Sequence, residues 1–256
     1  MSPVRVAIAG ASGRMGLALL EAAASTEGVT LGAAVDLAAS TWGGVAIGTD
    51  VASALENSDV LIDFTRPEGT LAHVAQCVAS RRAIVIGTTG FSPAELGEIR
   101  AAARKIGIVM APNMSVGVNV AMRLVELAAK SLGPDYDVEV FEMHHRKKVD
   151  APSGTALKLG EVAAFARNAT LEKDGVFERY GATGERKAGT IGFSVARGGD
   201  VVGDHTVFFA GPGERIEITH RSASRANYAQ GAMRAALFVA GKTPGLYDMQ
   251  DVLGLR

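Results

Sequence analysis

The stretch VRVAIAGASGRMG, Val4 to Gly16, decides the fold: a short apolar run stops at Gly10, and Gly13 and Gly16 follow at intervals of three before Ala- and Leu-rich sequence begins. Such a run is a buried strand ended by a tight turn, and SGRMGLALLEAAAST after it carries its apolar residues at helical spacing. The strand-like VTLGAAVD comes next, which completes a strand–helix–strand unit. Three more apolar runs, DVLIDFT, AIVIGTTG and IGIVMAPN, alternate with helical stretches such as AELGEIRAAARK. The alternation predicts a parallel sheet covered on both faces. Ser92, Pro93 and Glu95 have the spacing of a capping box, so a helix starts just beyond the strand that precedes them.

Near Asn113 the pattern changes. The helical VNVAMRLVELAAKSL leads to the strand-like YDVEVFEM, then to a cationic segment and a helix from about Ser153. GTIGFSVAR, DHTVFFA and ERIEITHRS follow as short alternating runs separated by Gly-rich turns, a pattern that predicts a mostly antiparallel sheet. NYAQGAMRAALFVAG returns to helix with Gly241 placed as its C-terminal cap, and the tail is expected to pack back on the first half.

The chain has 256 residues, of which 48% are hydrophobic, enough to bury a sizeable core without staples. Its 26 Lys and Arg against 27 Asp and Glu leave no global field to attract nucleic acid or a membrane surface. One cysteine, Cys77, allows no internal disulfide and no thiolate metal site, which fits a reducing compartment. With no apolar signal segment ahead of the first strand and no run long enough to span a bilayer, the expected location is the cytoplasm.

Two places carry chemistry. In GASGRMG the glycines permit a tight turn, close approach of backbone N–H groups to a pyrophosphate, and close packing of the following helix. Asp36 ends the second strand, where a carboxylate accepts both hydroxyls of an adenosine ribose. The second place is HHRKKVDAPSGTA, His144 to Ala156, where Arg146, Lys147 and Lys148 follow two histidines. Ser153 reads as an N-cap, which leaves the Gly154 and Thr155 amides at a positive helix end. With Lys148 and with His144 and His145 able to donate protons or hydrogen bonds, the segment suits a small dianion.

At this point the segments IAGASGRMG, DFTRPEGT, VIGTTGF, APNMSVGVN, HHRKKVDAPSGTAL, GTIGFSVARGGDVVGDHT and ERIEITHRSASR closely resemble the 4-hydroxy-tetrahydrodipicolinate reductase family, in order and over nearly the whole chain. The resemblance implies a Rossmann-type dinucleotide-binding domain of residues 1–113 and 225–256. It also implies an α+β domain of residues 114–224 for substrate binding and oligomerisation, a homotetramer, and nicotinamide-dependent reduction of a cyclic dicarboxylate in diaminopimelate and lysine biosynthesis. It gives His144 and Lys148 proton-donor roles, and substrate contacts to His145, Lys148, Ser153, Gly154, Thr155 and Arg225. For the cofactor it implies Gly10, Ala11, Ser12, Gly13, Arg14 and Met15 at the pyrophosphate and Asp36 at the ribose. Gly87, Thr88 and Thr89 stand beside the nicotinamide ribose, and Ala111, Pro112, Asn113 and Met114 flank the nicotinamide. Members that use NADPH place an arginine after the acidic residue; here Leu37 follows Asp36, so NADH is the expected preference, with NADPH use possible.

Rival readings are weaker. A zinc hydrolase built on His144, His145, His205 and His220 lacks an HExxH motif, and adjacent histidines rarely chelate one ion, so no metal site is expected. An RNA-binding module is opposed by the even charge balance and the lack of an aromatic platform. A reductase of a different imine or carbonyl on the same scaffold is the nearest alternative.

Overall fold

The computed structural model describes residues 2–256, which divide into two compact units, residues 2–116 with Arg225–Arg256, and Gly117–Ser224. The first unit begins with β1 (Val4–Ala9), α1 (Arg14–Ser25) and β2 (Val29–Val35), followed by the small hairpin β3 (Ser40–Trp42) and β4 (Val45–Ile47). It continues with α2 (Val51–Glu56), β5 (Val60–Asp63), α3 (Pro67–Ser80), β6 (Ala83–Ile86), α4 (Pro93–Ala102) and β7 (Gly107–Met110). The second unit contains nearly all of α5 (Val116–Ser131), then β8 (Asp137–His144), α6 (Gly154–Ala166), the short α7 (Leu171–Asp174) and β9 (Gly175–Val176), β10 (Ile191–Arg197), β11 (Gly203–Gly211) and β12 (Glu214–Ser222). The chain returns to the first unit as α8 (Ala226–Val239), β13 (Gly245–Tyr247) and α9 (Met249–Leu253).

In the first unit six parallel strands lie in the order β13-β7-β6-β5-β1-β2. Side chains alternate between the two faces of a strand, and here both faces are buried. Val6 and Ile8 of β1, Val60 and Ile62 of β5, Val85 of β6 and Val109 of β7 pack with α1 and α8. Ala7, Ala9, Leu61, Ile84, Ile86 and Ile108 pack on the opposite side with α2, α3 and α4. That arrangement explains why these strands read as continuous apolar runs, and each fully buried Ile or Leu contributes about 1.5–3 kcal/mol of transfer free energy. The chain goes from β1 outward to β2 and then back to β5 on the other side of β1, so the sheet order reverses at β1. In open parallel sheets ligands bind beyond the carboxyl ends of the strands at such a point. The capping box at Ser92 and Glu95 is formed, and β13 adds the tail to the sheet edge beside β7. Helix α8 ends with Ala240 in a right-handed conformation, so Gly241 is not the left-handed cap that its position suggested.

The sheet of the second unit is mostly antiparallel, as expected, with a parallel part on one side. Its order is β12-β11-β8-β10-β9, antiparallel across β12, β11 and β8 but parallel across β8, β10 and β9. The reason is the long connection carrying α6, which crosses over from the end of β8 and lets β10 run in the same direction. One face of this sheet, with Val138, Val140, Phe193, Val207 and Phe209, buries against Val125 of α5 and Ala156, Leu159 and Ala163 of α6.

Candidate active site

The carboxyl end of β1 is the glycine turn. Gly10 has φ +68°, a left-handed conformation that favours glycine, and a Cβ on Gly16 would lie 2.2 Å from the Gly10 carbonyl oxygen, so only glycine lets α1 start so close to the turn. Gly13 caps α1 with no side chain, and no acidic residue stands in the first helical turn, so the protein itself supplies no anion to the donors there. Asp36 faces the same turn. Its carboxylate accepts the Ser12 amide at 2.8 Å and the Leu37 amide at 2.7 Å. Partial burial raises its pKa, but these hydrogen bonds and one from the Ser12 hydroxyl outweigh that and hold it below the ordinary carboxylate value. A carboxylate has about four acceptor sites, so Asp36 retains capacity for a ligand. Leu37 beside it is 99% exposed.

Beyond β5 and β6 lies a buried polar network. Asp63 is fully buried and its carboxylate accepts the Thr65 amide and hydroxyl, both at 2.7 Å, and pairs with Nδ1 of His73 at 2.7 Å. The Thr88 hydroxyl donates to Asp63 at 3.4 Å and accepts from Thr70 at 2.9 Å, so the Thr88 side chain points inward and anchors the Gly87–Thr89 loop from below. Thr89 is exposed. After β7, Ala111 and Met114 are buried, Pro112 is exposed, and the Asn113 carboxamide accepts the Ser115 amide at 2.8 Å. Every cofactor residue expected from sequence thus sits at the carboxyl end of a strand of one parallel sheet. Cys77 is buried, and burial, with Asp63 adding to it, pushes its thiol up to about 12.

The second unit holds the histidine cluster. Strand β8 turns Val138, Val140, Glu142 and His144 inward, so a carboxylate and an imidazole share the apolar face. Nδ1 of His144 lies 2.6 Å from Oε2 of Glu142. The Arg197 guanidinium donates to both oxygens of Glu142, at 2.8 and 2.9 Å, and the Ser153 amide donates to Oε1 at 2.9 Å. Burial would raise the Glu142 pKa, yet the bonds from Arg197, His144 and the Ser153 amide prevail and keep it below the usual carboxylate range. The Ser153 hydroxyl caps α6 by accepting the Ala156 amide at 3.2 Å and meets Nε2 of His205 at 3.0 Å. His205 packs its ring edge-on to His144, centroids 5.0 Å apart. Burial first, then the His144 charge, lower His205 to about 4, so this imidazole is neutral at neutral pH.

Of the residues expected to bind substrate, Ser153 is 2% exposed, with both its amide and its hydroxyl engaged inside the protein. Gly154 is exposed at the first position of α6, and Thr155 follows it. Gly154 has no positive φ, and a Cβ there would meet nothing within 4 Å, so neither backbone nor packing requires a glycine. Lys148 is half-buried and pairs with Asp150 at 2.9 Å, while Arg146 and Lys147 are exposed. His145 is half-buried, and its Nδ1 has no partner within the protein. Arg225 falls in the other unit, where it is exposed and precedes α8. Sequence reading missed Glu142, Arg197 and Asp63, and named His205 only as a zinc ligand. A glutamate two residues before His144, on the apolar phase of an alternating strand, was the available signal. Among the described residues no group of three His, Cys, Asp or Glu is placed to hold a metal ion, and no helix is long and apolar enough to cross a membrane.

The model of the family described as dihydrodipicolinate reductase, N-terminus, matches residues 4–114, and that for its C-terminus matches residues 117–253. The chain is 58% identical to the 4-hydroxy-tetrahydrodipicolinate reductase of Bordetella pertussis over 99% of its own length and 98% of that protein. It is 56% identical to that of Nitrosomonas europaea over all of both chains. Among solved structures, a dipicolinate-bound dihydrodipicolinate reductase from Paenisporosarcina sp. TG-14 is similar with a TM-score of 0.81 and 26% identity, covering 97% of this chain and 98% of that one. With matched segments that fill both units, the chain belongs to the dihydrodipicolinate reductase family.

Proposed function

We propose that this chain reduces 4-hydroxy-tetrahydrodipicolinate to tetrahydrodipicolinate, with loss of water, using a reduced nicotinamide dinucleotide, in the biosynthesis of diaminopimelate and lysine. The observation that carries the reading is the exposed start of α6. A glycine that neither conformation nor packing demands stands at a positive helix end, six residues after Lys148, where an anionic ligand needs close access. The related structure with dipicolinate, a planar ring bearing two carboxylates, supports a cyclic dicarboxylate as the ligand.

The residues fit a dinucleotide. Gly10 to Met15 form an uncapped helix start that would take a pyrophosphate, Asp36 keeps acceptor capacity for ribose hydroxyls, and Gly87 to Thr89 with Ala111 to Met114 would border the nicotinamide end. A bound nicotinamide would be the source of the hydride that C4 of the dehydrated ring takes up. Lys148, with Gly154 and Thr155 at the α6 terminus, holds a carboxylate and offsets negative charge that develops on the ring, and His145 adds a substrate contact. His144 delivers the proton to C3. Leu37, exposed and uncharged after Asp36, favours NADH over NADPH. Phe141 and Phe208, on the outward face of the second sheet, support assembly through that unit into a homotetramer. A lone buried cysteine fits the reducing cytoplasm.

The test follows oxidation of NADH and of NADPH while the substrate is generated in place from pyruvate and aspartate semialdehyde by the preceding synthase. Substrate-dependent oxidation with at least one cofactor is expected. Its absence with both overturns the reading.

A further inference from the structure

The cluster around His144 is more ordered than anion binding requires. A buried carboxylate costs several kcal/mol unless its oxygens are paired, and Glu142 has both oxygens filled: Arg197 reaches the two together, Ser153 N–H takes Oε1, and His144 Nδ1 takes Oε2. An ionised carboxylate only accepts hydrogen bonds, so its partner Nδ1 carries a proton, and whenever the ring is neutral Nε2 is the nitrogen without one. The ring is also held in place. Its Nε2 edge lies over Gly203, where a Cβ would come within 2.9 Å of Nε2, and His205 packs against it edge-on.

We propose that Glu142 is a positioning residue for His144: it fixes the Nδ1–H tautomer and the ring plane, so that Nε2 is the nitrogen that carries and delivers the proton. Arg197 keeps Glu142 ionised and oriented. Its guanidinium also donates to the Asp150 carbonyl at 2.6 Å, which ties the segment bearing Lys148 to the same carboxylate. The inference rests on the reading of His144 as the proton donor, but its structural content, the tautomer, is measured independently of turnover.

The experiment records the imidazole nitrogen shifts of the ¹⁵N-histidine-labelled full chain at about pH 9, where an ordinary imidazole is neutral. The His144 signals are assigned by their loss in His144→Gln. The unmutated protein is expected to show the Nδ1–H form. Glu142→Gln is expected to move His144 toward the Nε2–H form and to lower kcat by more than about tenfold, with KM for the dicarboxylate changed by less than about threefold. Because Glu142→Gln leaves the Arg197 charge without its partner, Glu142→Gln/Arg197→Met removes both charges together and is expected to show the same tautomer change. An Nε2–H tautomer in the unmutated protein, or an unchanged His144 signal in both variants, overturns the proposal whatever happens to kcat. Absence of turnover in an unmutated protein that shows the Nδ1–H form counts against the reductase reading and leaves the tautomer set by Glu142 supported.

Discussion

The Ser153 hydroxyl lies 3.0 Å from Nε2 of His205 and ties the start of α6 to the start of β11. The bond links the helix end that faces solvent to a histidine 5% exposed, and it makes that end sensitive to the charge on His205. The ordinary histidine pKa of 6.5 is lowered to about 4 in the folded protein. The unfolded chain therefore takes up a proton at His205 that the folded chain refuses between these values. The stabilisation is complete above the unfolded value and is lost as pH falls toward about 4, by an amount on the order of 3 kcal/mol. Urea unfolding across this range should show a shallower decline for His205→Gln than for the unmutated protein. Equal slopes would mean that His205 titrates alike in the folded and unfolded states.

Lys148 and Lys147 are adjacent cations in different settings, one half-buried beside Asp150 and one exposed. Lys148→Ala should lower kcat/KM by well over tenfold through loss of a charge-assisted carboxylate contact, whereas Lys147→Ala should cost less than about threefold. His144→Gln should lower kcat by about 10²-fold with cofactor binding nearly intact. Pyridine-2,6-dicarboxylate should compete with substrate, and its monocarboxylate analogue should bind far more weakly. Steady-state kinetics decide each point, and equal inhibition by the two acids would remove the case for a two-carboxylate clamp.

On the proposed reading the Asp36 carboxylate would meet the 2'-phosphate of NADPH with like charge, and the exposed Leu37 beside it carries no guanidinium to offset it. NADH should have the higher kcat/KM. Leu37→Arg should raise kcat/KM for NADPH selectively, and the gain should shrink in high salt as the added charge is screened. A preference for NADPH in the unmutated protein would show that other cations reach the phosphate.

Two glycines in helices of the first unit should respond oppositely to alanine. At Gly16 the new Cβ would meet the Gly10 carbonyl oxygen and the Ala11 backbone, at 2.2 and 2.6 Å, so Gly16→Ala should destabilise by about 1–3 kcal/mol and weaken dinucleotide binding. Gly97 in α4 is exposed with open space at its Cβ position, so Gly97→Ala should stabilise by about 0.5–1 kcal/mol. Thermal unfolding with and without NADH reads both effects. A stabilised Gly16→Ala would refute the close approach of α1 to the turn.

What the sequence by itself determined was whatever depends on neighbours along the chain. Apolar runs with glycine stops dictated the parallel strands, because a strand buried on both faces has no polar phase. Ser92 with Glu95, and Ser153 ahead of Gly154, dictated helix starts, because a cap acts within one turn. The glycine turn with Asp36, and the segment from His144 to Thr155, were legible for the same reason. Tertiary structure alone decided which groups meet across distance. Asp63 collects Thr65, His73 and Thr88 from three successive segments. Glu142 collects Arg197 from β10, 55 residues on, because the α6 crossover makes β10 a parallel neighbour of β8 and sets Arg197 opposite His144. That same crossover is why the second sheet is mixed. A buried charge is tolerated only where distant partners fill its hydrogen bonds, and those partners are fixed by strand order and register, which one segment's pattern does not contain.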